Sequence, residues 1–373
     1  MTGGLQNRRK VLVLSPSLKA IGGVQNYTNT LLDALRDVLG NDRVRIVAVP
    51  EDAIPRRNGH AALGTSAKVR FLAAAVASAI FWRPDLVICA HVGVAPVGRL
   101  IRRLTGVSYW VVLYGIEVWG ELSKAKRDAL RGAARLVAIT RFTLEATIRR
   151  HDLGGVSAVI LPPTLPRRPH SLLKPAGGAS EEPRRPMVLT VGRIAASERY
   201  KGHDVMLEAW PSVLHRVPDA EYWIVGDGDD RNRLELRARE LGIAGSLRFA
   251  GSVSPEELAV CYDRCSVFAM PARTELDGIV PRGEGFGIVF LEAMAYGKPV
   301  VGPRTGAPAE FIRSGEHGLL VDPLNPVEVG DALVELLGDP ARACRMGDAG
   351  KDWVAREFSF ERFCERVRES LTS

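Results

Sequence analysis

Glu284-Gly285-Phe286-Gly287-Ile288-Val289-Phe290-Leu291-Glu292, continuing through Ala293-Met294-Ala295-Tyr296-Gly297-Lys298-Pro299 into Val300-Val301, reads as a glycine-containing loop, an apolar helix and a short strand in succession. Gly297 and Pro299 mark the end of the helix. Glu284 stands in the loop and Glu292 eight positions later on the helix, so both carboxylates can face one bound molecule at different depths. A helix N-terminus near Gly287-Ile288 adds backbone donors suited to phosphate. The apolar neighbours on both sides of Glu292 point to burial rather than to a solvated helix face.

Working outward, apolar runs of strand length alternate with longer segments of helical period along the whole chain, the pattern of parallel sheets covered by helices. The first series of strands is expected at Val11 to Leu14, Val44 to Val49, Leu86 to Cys89, Ser108 to Leu113, Leu136 to Ile139 and Ala158 to Leu161. A second series follows at Met187 to Val191, Glu221 to Val225, Leu247 to Phe249, Val267 to Met270, Val300-Val301 and Leu319 to Val321. Pro162 to Pro186, rich in Pro, Gly, Ser and charge and without apolar period, reads as a linker. Pro340 to Leu371 is helical in period.

The fold class is therefore α/β: two Rossmann-like domains facing across a cleft, with ligands outside the carboxyl ends of the strands. The expected boundaries are 1–175 for a basic N-terminal Rossmann-like domain, 176–186 for the linker and 187–355 for a second Rossmann-like domain. A C-terminal helix, 356–373, is expected to cross back to the first domain.

A chain of 373 residues exceeds what one hydrophobic core organises, and its 46% hydrophobic and 25% charged residues are those of a soluble globular protein. The most apolar run, Phe71 to Trp82, is too short to span a bilayer. The polar N-terminus lacks the apolar core of a signal peptide. Five scattered cysteines indicate a reducing compartment and no metal site. Residues 1–180 carry 26 Lys+Arg against 11 Asp+Glu, whereas residues 181–373 carry 24 against 32. The positive charge thus belongs to the first half, through residues such as Arg99, Arg102, Arg103, Lys124, Lys126 and Arg127, and suits anionic lipid head groups. No aromatic-interleaved basic stretch accompanies it, so no nucleic-acid partner is expected.

Loops that follow strands are where chemistry is to be sought. The first reads Ser15 to Tyr27 and carries Gly22-Gly23 just before a helix, where backbone N–H groups can approach an anion. The loop after Met187 to Val191 carries Arg193 and, eight residues on, Lys201, two cations able to converge on one diphosphate leaving group.

Taken together, Gly22-Gly23, Gly192-Arg193 with Lys201-Gly202, Gly226-Asp227-Gly228, Glu284 to Glu292 and Gly318 to Pro323 occur in an order that resembles the family 4 retaining glycosyltransferases of GT-B fold. The resemblance implies that Arg193 and Lys201 hold the diphosphate and that Glu292 holds the ribose hydroxyls. It further implies that Glu284, with the backbone of Phe286, Gly287 and Ile288, holds the transferred sugar, and that the Gly251-Ser252-Val253 loop holds the base. Retention by a front-face route, without a metal or other cofactor, is implied as well. One position departs from the family pattern. Where relatives carry His-Gly-x-Glu or His-Gly-x-Asp, this chain reads Tyr114-Gly115-Ile116-Glu117, leaving Tyr114 as a hydrogen-bond donor, Glu117 on the sugar or acceptor side, and His91 as a substitute for the missing imidazole.

The function expected from the resemblance is transfer of a hexose-type sugar from a UDP- or GDP-sugar to a lipid-linked or saccharide acceptor in glycolipid, lipopolysaccharide or exopolysaccharide synthesis. The enzyme would be cytoplasmic and peripheral at the inner face of the membrane. Two alternatives share the donor: a nucleotide-sugar epimerase, which needs groups that deprotonate a sugar carbon, and a catalytically silent paralogue that binds nucleotide sugar without turnover.

Overall fold

The computed structural model describes residues 9–17, 22–49, 56–57, 60–61, 65–165, 185–276 and 281–372. Most of the linker expected at 162–186 and the part of the first loop at 18–21 lie outside them. The chain divides into two units, one running to Thr164 and including the C-terminal segment from Phe360, the other Leu165–Ser359.

The first unit opens with β1 (Val11–Ser15), α1 (Gly23–Leu39) and β2 (Val44–Ala48). A two-residue antiparallel pair follows, β3 (Arg56–Arg57) and β4 (His60–Ala61), which the apolar pattern does not signal. Then come α2 (Thr65–Trp82), β5 (Leu86–Cys89), α3 (Ala95–Thr105), β6 (Tyr109–Leu113), α4 (Ile116–Trp119), α5 (Lys124–Arg131), β7 (Arg135–Ala138), α6 (Arg141–His151) and β8 (Ala158–Ile160). Six strands form one parallel sheet in the order β2-β1-β5-β6-β7-β8. Helices on both faces explain the unbroken apolar runs: every residue of β1, β5 and β6 is buried.

The second unit contains β9 (Met187–Val191), α7 (His203–Arg216), β10 (Glu221–Val225), α8 (Arg231–Glu240), β11 (Leu247–Gly251), α9 (Pro255–Arg264) and β12 (Val267–Ala269). It continues with α10 (Ile288–Ala295), β13 (Val300–Pro303), β14 (Gly318–Val321), α11 (Pro326–Gly338) and α12 (Pro340–Glu357). Its sheet is wholly parallel in the order β11-β10-β9-β12-β13-β14, the doubly wound arrangement whose direction reverses between its first and fourth strands. Trp210 of α7, fully buried with Tyr222 and Leu333, anchors the helical layer.

The helical span expected from Pro340 to Leu371 is two helices. The backbone leaves helical geometry at Phe358, whose ring is buried among Phe286, Phe311 and Trp353. Burying that ring outweighs continuing the helix. The last helix, α13 (Phe360–Thr372), belongs to the first unit, where Phe363 meets the edge of Tyr27 on α1 with ring centroids 5.8 Å apart. Among the described residues no helix is long and apolar enough to cross a membrane.

Candidate active site

In the second unit the sheet reverses direction between β9 and β12, so the loops leaving those two strands diverge and frame a crevice. Both carry predicted residues. Lys201, after β9, places Nζ 2.7 Å from Oε1 of Glu284, after β12. Its other acidic neighbour is Glu198, at 3.7 Å. Glu198 also pairs with Arg193, whose side chain is 77% exposed. Arg193, Glu198, Lys201 and Glu284 thus form one series of alternating charges. Three of them were legible in the sequence. Glu198 was not, although it lies in the same loop between the two cations.

The turn that presents Lys201 is held from two sides. Gly202 has φ +85°, and a Cβ there would stand 2.3 Å from the carbonyl oxygen of Pro271, so only glycine lets the turn press against the segment leaving β12. On that side Arg273 donates its backbone N–H to the Tyr200 carbonyl (2.7 Å) and its guanidinium to the Arg199 carbonyl (3.0 Å). On the other side the backbone N–H of Ala196 donates to Asp229 (2.8 Å). There Arg199 grips Asp230 through two hydrogen bonds of 3.0 and 2.6 Å. Arg233 donates to the same carboxylate and bridges to Asp204 at 2.6 and 3.0 Å. The guanidinium groups of Arg233 and Arg199 hold the buried Asp230 carboxyl well below the usual carboxylate range.

The second carboxylate of the opening stretch has a different setting. Gly287 adopts φ +91° as the cap of α10, and Phe286 before it stacks on Phe311 with centroids 4.6 Å apart, fixing where the helix begins at Ile288. One turn on, Glu292 accepts a hydrogen bond from the Tyr262 hydroxyl at 2.8 Å. Burial raises the pKa of Glu292, and the Tyr262 hydrogen bond opposes that shift. Tyr262, fully buried, stacks on Tyr296 at 5.5 Å. Tyr262 lies on α9 beyond the Gly251-Ser252-Val253 loop, and its part in the site carries no signal in the sequence. Val253 is half-buried, just before the Ser254 cap of α9.

In the first unit the sheet reverses between β1 and β5. Gly22 precedes α1, and its carbonyl accepts the backbone N–H of Asn26 at 3.0 Å; Gly23 is the first residue of the helix. His91, after β5, accepts the Gly93 N–H on Nδ1 at 3.0 Å, which leaves the proton on Nε2. Burial, reinforced by Lys126, pushes its pKa down to about 4, so the ring is neutral at pH 7. The ring lies alongside that of Tyr114, with centroids 6.2 Å apart.

Tyr114 is engaged within its own unit. Its side chain turns into the core of the unit, its hydroxyl donates to the Ala90 carbonyl at 3.0 Å with the Thr28 hydroxyl 3.3 Å away, and its ring meets the edge of Tyr27. Burial raises its pKa. The hydroxyl proton is engaged inside the unit by the Ala90 carbonyl. Glu117 is likewise engaged, accepting the backbone N–H of Tyr114 at 2.6 Å, and burial raises its pKa.

The model of the family described as glycosyl transferases group 1 matches residues 178–353, the segment that carries Arg193, Lys201, Glu284 and Glu292. A protein of Mycolicibacterium smegmatis named GDP-mannose-dependent alpha-(1-6)-phosphatidylinositol monomannoside mannosyltransferase is 32% identical over 285 residues, 74% of this chain and 73% of that protein. Its namesake in Mycobacterium tuberculosis is 37% identical over 187 residues, 50% of this chain, and the match spans only about half of that relative (47%). Among solved structures, sucrose-phosphate synthase from Thermosynechococcus elongatus superposes with a TM-score of 0.75 at 21% identity, over 98% of both chains. At that identity the likeness speaks for the fold alone, the pair of Rossmann-like units of GT-B glycosyltransferases. The extent and identity of the M. smegmatis match, together with the family model over the second unit, establish that this chain belongs to the group 1 glycosyl transferases.

Proposed function

We propose that this protein is a retaining, metal-independent glycosyltransferase that moves a hexose from a nucleoside diphosphate sugar to a lipid-linked or saccharide acceptor in glycolipid, lipopolysaccharide or exopolysaccharide synthesis. The observation that carries the reading is Lys201 held between Glu198 and Glu284, with Arg193 beside it, where the sheet of the second unit reverses. In this reading the two cations take the diphosphate and stabilise the charge that develops on it as the glycosidic bond breaks. Glu284 and the backbone of Phe286, Gly287 and Ile288 hold the sugar. Glu292, fixed by Tyr262, accepts the ribose hydroxyls, and the loop at Val253 holds the base. Gly22 and Gly23, at the head of α1, offer backbone donors suited to an anion. His91 takes over the sugar-side role expected of Tyr114, as a neutral donor through Nε2–H. The leaving phosphate, on the face from which it departs, accepts the proton of the acceptor hydroxyl. Supporting GDP-mannose as the first donor to test, ahead of UDP-sugars, are the printed names of the mycobacterial relatives.

The acceptor reading rests on the first unit. There α2 leaves Val69, Ile80 and Phe81 exposed, Phe81 by 85%, on a helix that also exposes Lys68 and Arg70 and is followed by Arg83. Apolar and basic groups presented together suit the inner face of an anionic membrane. The test is a thermal-shift screen against GDP, UDP, ADP and their sugars, since a ligand of the folded state raises its melting temperature. The responding sugar nucleotide is then incubated with lipid and saccharide acceptors, and the anomeric configuration of the product is read by NMR, with and without chelator. A response to no nucleotide refutes the proposal. An inverted product, or activity abolished by chelator, refutes the mechanistic part. Co-sedimentation with anionic but not neutral vesicles, weakening with salt, is expected for the membrane role.

A further inference from the structure

Glu198 stands where a diphosphate-binding loop would be expected to exclude negative charge. Its side chain is 11% exposed, it pairs with both Arg193 and Lys201, and its Oε2 is buried without a hydrogen-bond partner. Lys201 has Glu284 at 2.7 Å as a closer partner, so Glu198 is not needed to neutralise it. Arg193 differs. Its side chain is largely exposed, and its ion pair is with Glu198. A buried carboxylate oxygen left without a donor is costly. Its position becomes intelligible if the carboxylate serves as a local anion for the same two cations that a diphosphate would engage.

We propose that Glu198 is a positioning residue that acts as an internal counter-anion. It holds Arg193 over the loop between turnovers and yields it to the arriving diphosphate, and it recaptures Arg193 as the nucleoside diphosphate departs. This inference rests on the assignment of Arg193 and Lys201 to the diphosphate. The exchange moves no proton and breaks no covalent bond: one ion pair, Arg193 with Glu198, is replaced by Arg193 with phosphate oxygen. An anion held this close to the diphosphate lowers its affinity. The lost affinity serves release of the product, which carries one more negative charge than the sugar nucleotide and would otherwise be held more tightly.

The test is Glu198→Gln, which keeps the shape of the side chain and removes its charge. Calorimetry with GDP, UDP and inorganic pyrophosphate should show about five- to tenfold tighter binding of the nucleoside diphosphate that the wild type prefers, and of pyrophosphate. In turnover the donor KM falls and kcat falls with it, because product release slows. A structural role alone would weaken binding and leave no such split. Should Glu198→Gln fail to fold, Glu198→Asp decides. It retains the charge but retracts it from Arg193, and about twofold tighter pyrophosphate binding is expected. Equal or weaker binding in a folded variant overturns the inference. Absence of binding of any diphosphate to the wild type, by contrast, overturns the underlying donor-site reading.

Discussion

Replacing Asp230 by Asn tests whether the Lys201 turn is held in place by the loop that follows β10. The carboxylate of Asp230 is 6% exposed and takes hydrogen bonds from Arg199 at 3.0 and 2.6 Å and from Arg233 at 2.9 and 2.5 Å. Asparagine removes the charge and turns one acceptor oxygen into an amide that faces a donor. Breaking a buried ion pair on one side costs about 3–5 kcal/mol. Here both guanidinium groups reach water and Arg233 keeps Asp204, so roughly 2–3 kcal/mol is the appropriate magnitude. For a unit of this size about 2–4 °C is lost per kcal/mol, giving a fall in melting temperature of about 4–12 °C. The carboxyl of Asp230 is depressed in the folded state, so its contribution is complete above the ordinary carboxyl pKa and is lost as pH falls through and below that value. The difference between wild type and variant should accordingly be full at pH 7 and shrink below about pH 4. Calorimetric or circular dichroism melts at both pH values measure it, and the donor KM should rise because the turn that presents Lys201 loses one of its two anchors. A melting temperature unchanged at pH 7 within about a degree, with donor KM also unchanged, would refute the claim that Asp230 organises this loop.

Two further outcomes are expected. Glu292→Gln should weaken binding of the nucleoside diphosphate about ten- to a hundredfold and leave inorganic pyrophosphate unaffected, since only the former has ribose hydroxyls; parallel calorimetric titrations separate the two, and equal losses would remove Glu292 from the ribose role. Buried His203 has its pKa pushed down to about 4 by burial and by Lys201. In the unfolded chain it titrates near the ordinary value of about 6.5, so the unfolded state binds the extra proton between these values. Its contribution is therefore complete above about pH 6.5 and declines toward pH 4, by up to about 3 kcal/mol. Melts from pH 7.5 to 4.5 should show a shallower decline in His203→Gln than in the wild type, and parallel profiles would contradict the assignment.

The strands of both large sheets were legible because parallel strands buried on two faces leave continuous apolar runs, which strand length and flanking loop residues set apart from helices. Val11 to Leu14 and Met187 to Val191 are such runs. The pair Arg56–Arg57 with His60–Ala61 escaped because two residues carry no period. The break at Phe358 was expected only as a boundary between 355 and 356, not for its physical cause. Its cause is the set of rings that Phe358 meets, drawn from Phe286, Phe311 and Trp353, and no local propensity records them.

The same distinction explains the uneven reading of the site. Arg193, Lys201 and Glu284 follow strands at a reversal of the sheet, and a charged residue in such a loop has few structural duties, so its position invites a ligand role. Tyr114 also follows a strand, yet an aromatic ring with a hydroxyl can be satisfied in two ways, by a ligand or by the core. The Ala90 carbonyl and the Tyr27 ring decide for the core, and neither lies near it in the sequence. Glu198 shows the converse. Its charge alone marks out no role, and only the structure shows a carboxylate paired with both Arg193 and Lys201. Residue type and strand position single out Arg193 and Lys201 as candidates; only packing shows that Glu198 and Glu284 stand beside them.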